Sequence, residues 1–177
     1  MQSVRLLPIA LCVALCALAY DVVANPSNHQ FGEYVVTVAP DSSATLSAAD
    51  YQVTVQNAEL LLARLTAPYQ GRLSNSFVAD LNRDGGFEVV VTYTSNAGEH
   101  TGIKVYTWKD SLLQPLAVSG LDTAQSTGYR GHDEVAVVEG QLIRMFQVYA
   151  EHNGEWEPTS ERRRLAYSFE HGRWQQQ

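Results

Sequence analysis

Asp80, Asn82 and Asp84 place side-chain oxygens at alternate positions of Asp80-Leu81-Asn82-Arg83-Asp84-Gly85, and Glu88 follows at the ninth position. In calcium loops such spacing aims successive oxygens at one ion, and the glycine permits the sharp turn. The twelfth position is Val91, which supplies no bidentate carboxylate, and no helical pattern flanks the loop. The residues fit better as a turn in which Asp, Asn and Gly satisfy the backbone ahead of a strand. A calcium-dependent adhesion or glycan-binding module is the alternative built on this loop. No cofactor and no metal are expected.

His100, His132 and Asp133 are the other residues suited to acid–base or metal chemistry. Neighbouring side chains on an extended chain point oppositely, so Asp133 does not orient the adjacent imidazole. No nucleophile motif accompanies them, and their spacing demands no metal. An enzyme is therefore not expected. Binding chemistry fits better. Ser95-Asn96-Ala97-Gly98-Glu99-His100-Thr101-Gly102 is polar and joins two expected strands, where loops often carry recognition. Ser95, Asn96, Gly98, Glu99, His100 and Thr101 are the expected partner contacts. Tyr129, Arg130 and His132, from the glycine-flanked stretch 127–133, form an expected second edge.

The elements that must position these residues have a two-residue period. Tyr51, Val53 and Val55 alternate with Gln52, Thr54 and Gln56; Phe87, Val89, Val91 and Tyr93 alternate with Glu88, Val90, Thr92 and Thr94; Leu165, Tyr167 and Phe169 alternate with Arg164, Ala166 and Ser168. Each describes a strand with one face in a core. Residues 35–38 and 103–108 are further strand-length runs. Glu139-Gly140 between residues 135–138 and 141–149 signals a two-residue hairpin turn, and Gly172 marks another turn before Trp174. Asn57 could cap a helix over residues 58–65, but the same leucines read equally as a buried strand. Residues 39–50, rich in Ser and Ala, read as a long loop. The expected fold is all-β, an antiparallel sandwich of about eight strands with few or no helices.

The chain has 177 residues, of which 12 are Lys or Arg and 19 Asp or Glu, for a net charge of −7. That balance argues against nucleic acid and for solubility or a basic partner. Arg5 followed by the apolar run 6–18 and small residues at 17–24 reads as a secretory signal, too short to span a bilayer. Cleavage after Ala24 is expected, with Ala19 as the alternative. It would remove Cys12 and Cys16 and leave residues 25–177 as one domain without cysteine, with no membrane attachment. Arg162-Arg163-Arg164 reads as a solvated face or as partners for nearby carboxylates. Trp108, Trp156 and Trp174 are too scattered for a sugar-stacking platform, and at least two are expected in the core.

Three stretches carry a resemblance. They are residues 79–89, including Asp80-Leu81-Asn82-Arg83-Asp84-Gly85-Gly86-Phe87-Glu88; residues 128–149, beginning Gly128-Tyr129-Arg130-Gly131-His132-Asp133-Glu134; and Pro158-Thr159 with Arg164-Leu165-Ala166-Tyr167. Together they resemble the periplasmic inhibitors of invertebrate-type lysozyme, over roughly residues 60–170. The resemblance implies an exported, periplasmic β-sandwich that blocks a peptidoglycan-cleaving lysozyme or another muramidase. In that family a loop with a Ser-Gly-x-Tyr element enters the lysozyme cleft. The matching loop here is Ala97-Gly98-Glu99-His100-Thr101-Gly102, with Ser95 and Thr101 as the nearby hydroxyls. A variant of the same expectation is an immunity protein against a muramidase toxin.

Overall fold

The computed structural model describes residues 25–41, 49–95 and 100–177. The expected signal peptide, most of the expected 39–50 loop, and Asn96, Gly98 and Glu99 lie outside them. The described residues contain no helix. Among the described residues twelve strands, rather than about eight, form three four-stranded antiparallel sheets, each a meander in chain order.

The first sheet holds β1 (Ser27–Phe31), β2 (Tyr34–Pro40), β3 (Ala49–Asn57) and β4 (Leu60–Tyr69). The second holds β5 (Arg72–Ala79), β6 (Glu88–Thr94), β7 (Thr101–Lys109) and β8 (Leu112–Leu116). The third holds β9 (Glu134–Val138), β10 (Gln141–His152), β11 (Glu155–Ser168) and β12 (Arg173–Gln176). The segment after Asn57 is therefore strand, not helix; its leucines pair against β3.

The second sheet lies between the other two and is buried on both faces. From one face Leu73, Phe87, Val89, Val91 and Tyr106 pack against Val36, Val38, Tyr51, Val53 and Val55 of the first sheet. From the other, Val90 and Val105 pack against Leu142, Phe146, Val148, Leu165 and Trp174 of the third. Period-two alternation assigns the odd residues of β6 to one core and the even residues to the other. Burying Val89, Val90 and Val91 together stabilises the stack by roughly 1.5–3 kcal/mol for each side chain.

The turns suit these hairpins. Glu139 and Gly140 both adopt left-handed angles, φ 51° and 70°, as a tight two-residue connection requires. Asp110 and Ser111 do the same at φ 53° and 59°, with no glycine to announce the turn.

The third sheet is uneven. β9 pairs with β10 only as far as Met145, and β12 pairs with β11 only from Leu165 to Ser168. Beyond those limits β10 and β11 continue as a two-stranded ribbon that ends at the Asn153-Gly154 turn.

Candidate functional site

The β6–β7 hairpin ends beside the 121–133 connection that leads into β9. Ser95 N–H donates to the His100 carbonyl at 2.8 Å, and His100 N–H donates to Ser95 Oγ at 3.2 Å. This reciprocal pair joins the end of β6 to the start of β7. Ser95 is thus a closure residue, with its hydroxyl oxygen turned back onto the loop.

His100 is exposed, and its ring lies 5.7 Å from that of Tyr129. Thr101 Oγ1 donates to the Asp133 carbonyl at 3.3 Å. The two stretches singled out in the sequence therefore meet, with His100 on Tyr129 and Thr101 on Asp133 as the contacts.

Tyr129 is an internal prop rather than a free contact. Its hydroxyl donates to Asp133 Oδ1 at 2.6 Å and accepts from Arg144 Nη2 at 3.0 Å. Its ring stands edge-on to Phe146 at 4.9 Å. Burial, then the bond to Asp133, pushes the phenol up to about 12, against the pull of Arg144. Arg144 Nε donates to Asp133 Oδ2, so the carboxylate is shared between a cation and a phenol. Arg130 points outward and lays its guanidinium 3.6 Å from the Trp156 ring centroid. His132 is exposed, in a left-handed conformation at φ 57°.

Arg163 holds the 121–133 connection in place. Its Nη1 donates to the carbonyls of Ala124, Gln125 and Thr127 at 3.2, 2.7 and 3.1 Å. Of its neighbours in the basic run, Arg162 pairs with Glu134 at 2.7 Å on the surface, and Arg164 bonds the Gln177 side chain. Close approach completes the joint. Gly128 O accepts from Tyr149 N at 2.8 Å, and a Cβ on Gly128 would stand 2.5 Å from Tyr149 O.

Sequence reasoning did not assign Arg144, Trp156 or Arg163 to the site. The signal for Arg144 was in the alternation: Leu142, Arg144, Phe146 and Val148 share one face of β10, and a cation on an apolar stripe needs a buried anion. Trp156 departs from its scattered companions, since Trp174 is buried and Trp108 packs on the first core while Trp156 is 45% exposed.

The Asp80–Glu88 loop lies at the opposite end of the sheets, near Gly140. Its oxygens are taken up by its own donors. Asp80 accepts from the amides of Asp84 and Gly85, Asn82 Oδ1 from Asp84, and Asp84 Oδ1 from Gly86. Glu88, fully buried, accepts from the Leu81 and Asn82 amides, Asn82 Nδ2 and Thr107 Oγ1. Among the described residues no group of three or more His, Cys, Asp or Glu is placed to hold a metal. An open cavity of about 500 Å³ at this end is lined by Asn82, Arg83, Gln141, Tyr167, Phe169 and Gln177, away from the residues expected to bind.

Two hydrogen bonds join a serine hydroxyl to a histidine ring among the described residues. His29 Nε2 and Ser76 Oγ lie 2.8 Å apart between β1 and β5, where Ser76 is 3% exposed; Ser168 Oγ and His171 Nδ1 meet at 2.9 Å inside a local turn. Both link neighbouring backbone segments, and Ser168 also lines the cavity at the Asp80 end.

Comparison of the chain with protein-family models, curated proteins and solved structures finds no match.

Proposed function

We propose that the protein is an exported, periplasmic inhibitor of a peptidoglycan-cleaving lysozyme. It binds rather than catalyses, and it occludes the enzyme's cleft with the β6–β7 loop. The observation that carries this reading is the closure of that loop by Ser95 and His100 at the end of a sheet buried on both faces. A stem held in place by such burial carries little ordering cost of its own on binding, which favours affinity. His100, whose ring rests against Tyr129, would donate a ring N–H to a cleft carboxylate. The net charge of −7 would steer the protein toward a basic glycan hydrolase. The local resemblance to inhibitors of invertebrate-type lysozyme supplies the enzyme class.

The test is a panel of lysozyme classes, with a muramidase toxin included, assayed for peptidoglycan lysis. The purified protein should slow invertebrate-type lysozyme at near-stoichiometric ratio, and a Glu99/His100 double alanine variant should be much weaker. Undiminished lysis across the whole panel overturns the reading. Inhibition of the toxin alone would make the protein an immunity factor instead.

A further inference from the structure

The β10–β11 ribbon holds a tryptophan in water. Residues 150–158 are all exposed, and Trp156 keeps 45% of its surface accessible. A two-stranded ribbon is marginal by itself in water, yet this one is braced. Gln147 Nε2 donates to the carbonyls of Thr159 and Glu161, both at 2.7 Å, and Thr159 Oγ1 donates to the Val148 carbonyl at 2.9 Å. Tyr129 bridges to Val148 along its edge. The core gains nothing from Trp156, but the ring is fixed in position by Arg130 stacked over it at 3.6 Å.

The surroundings of that ring define a partner. Glu151 stands opposite Trp156 in the register and shares its face, while Glu155 and Glu157, its neighbours along β11, lie on the other face of the ribbon. The segment 150–158 has no Lys or Arg. An ordered Trp beside an Arg is the composition of a protein-binding hot spot. The carboxylate of Glu151 beside the ring, with those of Glu155 and Glu157 on the same ribbon, suits a basic protein surface. The ribbon also continues from the loop: His100 contacts Tyr129, and the next residue, Arg130, contacts Trp156.

We propose that the Arg130–Trp156 stack is a second anchor, which grips a basic, partly apolar patch of the lysozyme's protein surface beside its cleft while the 95–100 loop occupies the cleft. This anchor rests on the inhibitor reading. It makes binding bidentate, with the loop deciding catalytic blockage and the ribbon lengthening the lifetime of the complex.

Binding and inhibition of invertebrate-type lysozyme are measured for the purified protein and for Trp156→Ala, Arg130→Ala, His100→Ala and the triple change of Glu151, Glu155 and Glu157 to Gln. Thermal melting checks that each is folded. Trp156→Ala should weaken binding at least about tenfold, chiefly through faster dissociation. The triple variant should associate more slowly and show less dependence on salt. If the wild type inhibits, and His100→Ala weakens it while Trp156→Ala and Arg130→Ala stay within about twofold, the anchor is wrong and the inhibitor reading stands. If the wild type binds no lysozyme, both fall together. Should the variants not fold, acrylamide quenching of the wild type decides: Trp156 fluorescence becomes protected in the complex if the anchor is right and stays fully quenchable if it is not.

Discussion

Asp133 and Arg144 form an ion pair inside the protein, with the Asp133 side chain fully buried and that of Arg144 10% exposed. The pair joins the connection before β9 to the core face of β10. Tyr129 completes it, and Thr101 reaches the Asp133 carbonyl from the second sheet. Asp133 thereby joins both edges of the candidate site, one through its carboxylate and the other through its backbone carbonyl.

Removing that carboxylate alone leaves a buried guanidinium without its anion. Asp133→Ala should cost about 3–5 kcal/mol in urea unfolding. The double variant Asp133→Ala, Arg144→Met should recover much of that loss, since no buried charge remains. Recovery of stability without recovery of lysozyme inhibition would separate the pair's two effects, on the fold and on site geometry. Equal stability of the single and double variants contradicts this account.

Gly128 sits at φ 71°, with room for no Cβ: the atom would lie 2.7 Å from Val148 Cγ1 as well as against the Tyr149 carbonyl. Gly128→Ala should cost about 1–3 kcal/mol from the strained backbone, and more if Val148 does not yield. The 121–133 connection would lift from the ribbon, breaking the Tyr149 N–H bond to Gly128 O. Hydrogen exchange at the Tyr149 amide should accelerate relative to core amides of β6. Unchanged exchange there would mean that the connection tolerates the methyl in place.

The alternating and β-branched runs were legible as strands, and β8 was not. The run 51–55 announced β3 because its polar partners face water, and Glu139-Gly140 announced its hairpin through glycine. β8 escaped notice because its turn, Asp110-Ser111, reaches left-handed angles without Gly or Asn and because Pro115 interrupts the pattern. The three-layer stack was encoded in β6, where Val90 and Thr92 stand on the supposedly wet face, but one isolated strand does not say what covers it. At the site, the two loops were recognisable from their glycines and polar residues. Their meeting was not, because the Asp133–Arg144 and Arg130–Trp156 contacts depend on how far β10 and β11 outrun β9 and β12.

Glu88 locks the Asp80 loop by accepting four donors from inside the second core. Glu88→Ala should orphan the Leu81 and Asn82 amides at roughly 1–3 kcal/mol for each group that stays dry. Because the loop's oxygens already accept from its own amides, millimolar calcium should leave the melting temperature of the wild type unchanged. A calcium-dependent rise in melting temperature, abolished by Asp80→Asn, would restore the metal reading of this loop.

His29 predicts how stability responds to mild acid. Its Nε2 meets Ser76 Oγ between β1 and β5, and burial lowers its pKa below the ordinary 6.5. The unfolded chain then takes up a proton at a pH where the folded chain does not. Between 6.5 and the lower folded value the unfolded state binds more protons, so stability must fall as pH drops through that window. One proton limits the slope to about 1.4 kcal/mol per pH unit. Burial acts on Glu88 in the opposite sense, raising its pKa from the ordinary 4.5 against the donors from Leu81, Thr107 and Asn82; its protonation therefore favours the folded state as pH falls toward that value. The two contributions separate in a series of urea titrations from pH 7 to pH 4. His29→Gln should flatten the decline just below pH 6.5 and leave the more acidic limb alone. Parallel curves for variant and wild type across that window would show that His29 titrates alike in both states.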